Sequence, residues 1–173
     1  MTTDISIREA LPSEFDAVGL LMVEVYSQLE DFPTPEEMPD YYEMLASVGE
    51  KTKQPSTKIL AAFSTTNELL GAVVYFGNMG DYASGGPDIK IDKASGIRLL
   101  AVGKNARGLG VGKNLTQACI QEAKDNGHRQ VILHSTRVMQ VAWDMYEKMG
   151  FKRFEDLDFE LHGFSIFGFH LDI

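Results

Sequence analysis

Three glycines occupy alternating positions between an apolar run and a segment with helical periodicity: Gly108, Gly110 and Gly112. Glycine has no Cβ, so backbone N–H groups at these positions can approach an anion closely. The N-terminus of a following helix would add partial positive charge, and Arg107 and Lys113 would add full charges. This pattern is typical of a pyrophosphate site that requires no metal ion. A glycine-rich turn without a ligand is the alternative interpretation.

Two common nucleotide-binding motifs fail on this stretch. A Walker P-loop requires a first glycine where the chain has Arg107, and a Ser or Thr where it has Asn114. A dinucleotide fingerprint requires a third glycine, and the two registers place Lys113 and Leu115 there. A nucleotide-binding protein of another type stays open as an alternative.

Hydrophobic periodicity predicts the elements that would carry this turn. The stretch "GIRLLAV" has the pattern of a strand, and the residues after the glycines have that of a helix with Val111, Leu115 and Cys119 on one face. The whole chain gives the order β, α, α, β, β, β, α, β, α, β, β. Strand–helix–strand units imply parallel neighbours and hairpins imply antiparallel ones. We therefore expect an α/β (α+β) fold, with a mixed, mostly antiparallel sheet of about seven strands flanked by about four helices.

Length and composition narrow the class of protein. The chain has 173 residues, which suits one domain over residues 1–173, and a net charge of −9, which disfavours a nucleic-acid partner. Cys119 is the only cysteine, so we expect no intramolecular disulfide and a reducing, cytoplasmic location. The first residues have no secretory pattern, and no apolar run of about 18 residues predicts a membrane span.

The stretch "LLAVGKNARGLGVG" resembles motif A of the GNAT acetyltransferase superfamily. That motif has Arg or Gln, two residues, Gly, one residue, and then Gly or Ala, and Arg107, Gly110 and Gly112 match it. Downstream, "VAWDMYEKMGF" resembles a family helix that ends in Tyr-Glu-Lys, one residue, Gly-Phe, with its tyrosine at Tyr146. The two motifs together are more specific than either alone, and the resemblance extends over about residues 59–159.

The resemblance implies acetyl-CoA as cosubstrate, without a metal, and transfer of its acetyl group to an amine by direct attack. Backbone N–H groups of residues 108–113 would hold the pyrophosphate, and the edge of the preceding strand would pair with the amides of the pantetheine arm. The strand must open there; Gly96 could help, although the sequence indicates no bulge. The expected cosubstrate-binding residues are Leu100, Ala101, Val102, Arg107, Gly108, Leu109, Gly110, Val111, Gly112 and Lys113.

Tyr146 matches the family tyrosine that donates a proton or a hydrogen bond to the leaving thiolate. An aromatic residue packed beside Met145 and Met149 is the alternative interpretation. Met139 stands where family members often carry an Asn that contacts CoA, so that contact is in question.

The sequence does not identify the general base, which could also act through water, and the amine could arrive already neutral. His134 lies in the apolar strand "VILHS", where a core histidine is the more common interpretation, and Cys119 has the setting of a core residue rather than a nucleophile. No histidine spacing predicts a metal site. The full set of candidate bases is Glu24, Glu43, Asp81, Asp92 and His134.

The acceptor would be a small-molecule amine or a peptide amine. Residues 78–95 form a long predicted loop that could be one wall of its site. The other candidates are aromatic residues of the first two helices and nearby acids, for which ordinary packing and solvated loop are the alternative: Tyr26, Phe32, Tyr41, Tyr42, Glu43, Asp81 and Asp88. The resemblance also implies a homodimer as an option. A catalytically silent acyl-CoA sensor, which would not need Tyr146, is the alternative function.

Overall fold

The computed structural model describes residues 4–82, 90–161 and 163–173. Within these ranges the strands are β1 (Ser6–Glu9), β2 (Thr57–Phe63), β3 (Leu69–Phe76), β4 (Ala94–Val102), β5 (Gln130–Ser135), β6 (Lys152–Arg153), β7 (Phe159–Leu161) and β8 (Phe164–Asp172). The helices are α1 (Phe15–Ser27), α2 (Pro39–Ala46), α3 (Val111–Asp125) and α4 (Gln140–Lys148). The predicted α/β class and order of elements are confirmed.

The strand count exceeds the prediction by one, because the stretch after α4 divides into β6 and β7. A short turn at Glu155–Leu157 separates the two strands. The Arg153 guanidinium spans this turn and donates to both carboxylate oxygens of Asp158, at 2.9 and 2.6 Å. The Gly168 N–H donates to the same carboxylate at 2.7 Å, which ties the turn to β8.

The sheet runs in the order β1-β2-β3-β4-β5-β8-β6, with β7 also paired to β8. All neighbouring strands are antiparallel except β4 and β5, which are parallel across the α3 connection. Alternate residues of β2 and β3 point to opposite faces, so the sheet separates two cores. Helices α1 and α2 cover one face through residues such as Met22 and Leu45, and α3 and α4 cover the other through Leu115 and Trp143. Cys119 is fully buried in the second core, as predicted.

The sheet opens between β4 and β5. Their parallel pairing reaches only Ile97 and Leu133, whereas the last residues of β5 pair with β8 instead. At this point β4 contains a bulge: Val74 faces Arg98 and Ala72 faces Ala101, so that Leu99 and Leu100 share one partner position.

Two residues shape the bulge and its surroundings. Leu99 has a φ of 60°, in the left-handed region that leucine rarely occupies. Gly96 is not the residue that distorts the strand. A Cβ on Gly96 would lie 2.2 Å from Cδ2 of Tyr82, so glycine there lets the tyrosine ring lie directly on the β4 backbone.

The described residues contain no helix of the length and hydropathy needed to cross a bilayer. In the same part of the chain, no three His, Cys, Asp or Glu side chains come together as a potential metal-binding group.

Candidate active site

The glycine turn enters α3 through two left-handed residues. After β4 the chain makes a short 3-10 turn at Lys104–Ala106, followed by an extended, exposed Arg107. Gly108 (φ 79°) and Gly110 (φ 82°) lie in the left-handed region, which favours glycine. A Cβ on either residue would meet no described atom within 4 Å. The turn therefore needs glycine for its backbone shape, and open space lies beside it.

The first turn of α3 presents backbone donors at this space. The N–H of Asn114 donates to the Gly110 carbonyl at 3.0 Å and begins the hydrogen bonding of the helix. The N–H groups of Val111, Gly112 and Lys113 precede that bond, so the helix itself offers them no partner. With the positive end of the helix dipole, these donors make a site suited to an anion.

The predicted binding residues of this turn divide into two groups. The side chain of Val111 is buried in the second core, so only its backbone faces the turn. A Cβ on Gly112 would make ordinary contacts, 3.5 Å from Sδ of Met145 being the shortest. The others are exposed: Arg107, Gly108, Leu109, Gly110 and Lys113.

The open edge of β4 is defined by its hydrogen bonds. The Gly103 N–H donates to the Leu70 carbonyl of β3 at 2.9 Å, so the alternation of an extended strand directs the backbone groups of Val102 to the opposite edge. No described strand pairs with that edge, because the pairing of β4 with β5 has already ended. The Tyr26 hydroxyl donates to the Leu100 carbonyl at 3.1 Å.

The three predicted strand residues take different positions. Ala101 lies opposite Ala72 and is buried, so its backbone groups face β3. The side chains of Leu100 and Val102 lie 3.7 and 3.6 Å from the place that a Cβ on Gly112 would take. The strand edge and the start of α3 are therefore adjacent.

Tyr146 lies on α4 beside this junction. Its ring is 5 % exposed and packs edge-to-face on Phe151, with 5.6 Å between the ring centroids. Its hydroxyl has no hydrogen bond to any described residue. Burial raises the pKa of Tyr146 well above its ordinary value of 10, and the Cys119 thiol adds to this rise.

A cavity of about 430 Å³ lies on the α1–α2 face, next to the β4 bulge. Its walls are α2 and the loop before it, the end of β5, and the β7–β8 hairpin. The rings of Tyr26, Phe32 and Tyr41 line it and contact one another at 5.8 to 6.2 Å. Phe32 also contacts Phe164 of β8 at 6.1 Å, which joins two walls. Three of the four aromatic residues predicted for the acceptor site therefore line one cavity.

The remaining predicted acceptor residues lie elsewhere. Tyr42 is buried in the first core and donates its hydroxyl to the Pro33 carbonyl at 2.7 Å. Glu43 and Asp81 line a separate surface depression, because Glu43 lies on the exposed face of α2. Asp88, with the rest of residues 83–89, lies outside the described residues. The expected acidic lining of the aromatic cavity is thus not formed by Glu43 or Asp81.

His134 lines the cavity, and the other four candidate bases do not. Its Nε2 lies 2.9 Å from the Leu157 carbonyl, which can only accept, so Nε2 carries the hydrogen. Nδ1 is then the acceptor of the Tyr82 hydroxyl at 2.7 Å. Burial lowers the pKa of His134 below its ordinary 6.5, and the Arg98 charge adds to this, against opposing effects of Leu157 and Asp158. His134 is therefore neutral at pH 7, with a defined tautomer.

Several cavity residues were not predicted from the sequence. Ser135 and Thr136 line the cavity at the end of β5, and their hydroxyls are buried without a partner among the described residues. Lys51 and Arg98 also line the cavity, and Met139 closes it at the start of α4.

Comparisons with known proteins agree with this architecture. A model of the Acetyltransferase (GNAT) family matches residues 22–151. The chain is 34 % identical over 61 residues to N-alpha-acetyltransferase 30 of Schizosaccharomyces pombe, a stretch that spans 35 % of this chain and 41 % of the relative.

Solved structures show the same fold at low identity. An acetyltransferase of the GNAT family from Staphylococcus aureus Mu50 superimposes with a TM-score of 0.73 and 14 % identity, covering 98 % of this chain and 99 % of that one. The PaiA N-acetyltransferase of Thermoplasma acidophilum, in complex with coenzyme A, gives a TM-score of 0.72 and 16 % identity over 95 % and 98 % of the two chains. The family match extends over most of the chain and includes both the glycine turn and the tyrosine helix, and the chain belongs to the GNAT acetyltransferase family.

Proposed function

We propose that this protein transfers the acetyl group of acetyl-CoA to an amine bound in the aromatic cavity. The observation that carries the proposal is the junction at the β4 bulge. The glycine turn and the open strand edge meet there, with Tyr146 on one side of the sheet and the cavity on the other. The coenzyme A complex of a structural neighbour and the N-acetyltransferase name of a relative support the proposal.

The residues present fit coenzyme A. The space beside Gly108 and Gly110, which a Cβ would enter, suits a pyrophosphate held by the N–H groups of residues 108–113. Arg107 and Lys113 would add charge to this site. The backbone of Leu100 and Val102 at the open edge would pair with the amides of the pantetheine arm, as an added strand does. Ala101 would support that edge through its pairing with β3.

The reaction needs one group that donates a proton or hydrogen bond to the leaving sulfur and one group that accepts a proton from the amine. The amine nitrogen forms a bond to the thioester carbonyl carbon, the carbon–sulfur bond breaks, and the electron pair leaves with sulfur. Tyr146, kept protonated by its raised pKa, donates a hydrogen bond or its proton to that sulfur. The surplus proton of the amine must pass to a base, since the amide product carries one hydrogen fewer on nitrogen.

The Tyr82–His134 pair supplies a path for that proton. Tyr82 and His134 both line the cavity, and the Tyr82 hydroxyl already donates to Nδ1 of His134. The Tyr82 oxygen can accept the amine proton while its own hydrogen moves to Nδ1, so that tyrosine stays neutral throughout. The low pKa of His134 keeps Nδ1 free of a proton before the reaction. This assigns the base role to His134 acting through Tyr82.

Turnover of acetyl-CoA with a panel of amines tests the proposal. Release of the CoA thiol, followed with a thiol reagent, and an acetylated product detected by mass spectrometry are the expected results. An acyl-CoA sensor would instead bind acetyl-CoA tightly in calorimetry and release no thiol with any amine. A nucleotide-binding protein would gain thermal stability from ATP or NAD and not from acetyl-CoA.

A further inference from the structure

A short turn reaches His134 across the strand that lies beside it. The turn is Glu155–Leu157, and Gly168 of β8 is the cross-strand partner of His134. A Cβ on Gly168 would lie 2.5 Å from Cβ of Leu157, so glycine lets the turn lie directly on the β8 backbone. From there the Leu157 carbonyl reaches Nε2 of His134, one strand further along the sheet, at 2.9 Å. The hydrogen-bond acceptor of the imidazole therefore depends on where this turn lies.

An ion pair fastens the turn to β8. Arg153, two residues before the turn, and Asp158, directly after it, are joined by two hydrogen bonds of 2.9 and 2.6 Å. Arg153 also donates to the Gly168 carbonyl at 2.6 Å, and the Gly168 N–H donates to Asp158 at 2.7 Å. The pair thus binds both backbone groups of the residue that lies opposite His134.

The geometry of this pair is well defined. The two side chains are 28 and 30 % exposed, and a guanidinium that donates two parallel bonds to one carboxylate is among the stronger ion-pair arrangements. The guanidinium also lies 4.9 to 5.9 Å from the ring centroids of Trp143, Phe167 and Phe169. The hydrogen bonds from Arg153 lower the pKa of Asp158, so its carboxylate is ionised at neutral pH. Such a pair can hold a turn in one position, unlike a fully exposed ion pair.

We propose that the ion pair formed by Arg153 and Asp158 positions the base: it keeps the carbonyl of the turn on Nε2 of His134. This inference rests on the proposed transfer of the amine proton through Tyr82 to His134. A neutral imidazole carries one hydrogen, and the hydrogen bond at one nitrogen determines which nitrogen holds it. A carbonyl fixed at Nε2 leaves Nδ1 bare, as the proton path requires. Neither Arg153 nor Asp158 is among the described residues that line the cavity, so the pair acts through His134 and not on the substrate.

Exchange of the Nε2 hydrogen with water tests the inference without any reaction. In protein with 15N-labelled histidine, at a pH above the pKa of His134, the NMR signal of this hydrogen is identified by its loss in His134→Gln. Arg153→Met keeps an unbranched side chain and removes the guanidinium bonds to Asp158 and Gly168. We expect the exchange to become at least about tenfold faster, because the acceptor at Nε2 is no longer held. An unchanged exchange rate in folded Arg153→Met protein would overturn the inference.

Arg8→Met is the matched control. Arg8 lies on β1, at the end of the sheet far from β8, and forms a second pair with two bonds, of 2.8 and 2.9 Å, to Glu14. Like Arg153, it also donates to a backbone carbonyl and lies over an aromatic ring, that of Phe63. Arg8→Met should lower Tm as Arg153→Met does and change the His134 exchange rate less than about twofold. Equal acceleration by both variants would show an effect of stability alone and overturn the inference.

Kinetics show whether the pair acts through His134. Arg153→Met should lower kcat/KM about tenfold in the otherwise unchanged protein. In a His134→Gln background it should change kcat/KM less than about twofold, because no imidazole is left to position. Equal losses in both backgrounds would contradict the positioning role. Asp158→Asn, which keeps the side-chain volume and removes the charge, replaces Arg153→Met in both measurements if that variant does not fold.

The two measurements separate this inference from the proposed function. Faster exchange in Arg153→Met, without thiol release from any amine by the wild-type protein, would overturn the acetyl transfer and keep the positioning of His134. Thiol release by the wild-type protein, with an exchange rate that Arg153→Met leaves unchanged, would overturn the inference and keep the acetyl transfer.

Discussion

Tyr82 and His134 form a hydrogen bond of 2.7 Å whose direction is determined by the Leu157 carbonyl on the far side of the imidazole. The two residues lie 52 positions apart in the chain and meet only because β4 and β5 bring them to one cavity wall. The tyrosine ring fits there because Gly96 has no side chain. Nδ1 of His134 is therefore a proton acceptor at the cavity wall that is hydrogen-bonded to the Tyr82 hydroxyl.

The pH dependence of kcat/KM should reveal whether the Tyr82–His134 pair accepts the proton of the amine. Burial lowers the pKa of His134 below 6.5, so Nδ1 becomes protonated only as the pH falls through that lowered value. The substrate amine already gives log kcat/KM a slope of about one against pH, and below the His134 pKa the slope should steepen to about two. His134→Gln should keep a slope of about one and lower kcat/KM about 100-fold at pH 8.

Combining Tyr82→Phe with His134→Gln tests whether the two residues act as a unit. If Tyr82 acts by passing a proton to His134, the losses in kcat/KM from Tyr82→Phe and His134→Gln should be far from additive. Additive losses, or a His134→Gln profile that still steepens at low pH, would assign the base elsewhere.

The free energy of unfolding should also decrease as the pH falls below 6.5, because His134 of the unfolded chain takes up a proton before His134 of the folded protein does.

The role of the glycine turn in acetyl-CoA binding can be tested by comparing Gly110 with a second glycine that has a similar positive φ but lies away from the proposed binding site. Gly110 has a φ of 82° and Gly127, just after the other end of α3, has a φ of 75°, and a Cβ on either would meet no described atom within 4 Å. Replacing either with valine should therefore destabilise the fold similarly, by about 1–3 kcal/mol. Only Gly110→Val should weaken acetyl-CoA binding, about 100-fold or more, because its side chain enters the space assigned to the pyrophosphate.

Calorimetric titration of both variants with acetyl-CoA, beside their thermal melts, makes the comparison. Equal affinities in folded Gly110→Val and Gly127→Val proteins would place the pyrophosphate away from this turn.

The sequence predicted the parts of the site that depend on local pattern. The glycine turn and the helix that carries Tyr146 each consist of contiguous residues with a recognisable spacing, and both lie where they were expected. The order of elements followed from periodicity for the same reason. Acetyl-CoA binding at the turn and catalysis by Tyr146 remain predictions.

Most of the cavity lining other than the aromatic residues could not be predicted, because it depends on long-range pairing. The bulge at Leu99 arises from the register of β4 against β3, while β5 pairs with β8, and no local residue pattern encodes that combination. Lys51 and Arg98 belong to a 3-10 turn and a strand that are far apart in the chain. Glu43 does not line the cavity for a related reason: Glu43 and Tyr41 are close in sequence but lie on different faces of α2.

The kcat of Tyr146→Phe is the most direct test of acetyl transfer in which Tyr146 stabilises the leaving sulfur. With acetyl-CoA and an accepted amine, kcat should fall about 100-fold or more, while the Kd for acetyl-CoA changes less than about twofold. Tyr42→Phe loses a hydroxyl bonded to the Pro33 carbonyl, but Tyr42 itself does not line the cavity, so kcat should stay within about twofold. A Tyr146→Phe protein that releases CoA thiol at the unaltered rate would contradict this role of Tyr146.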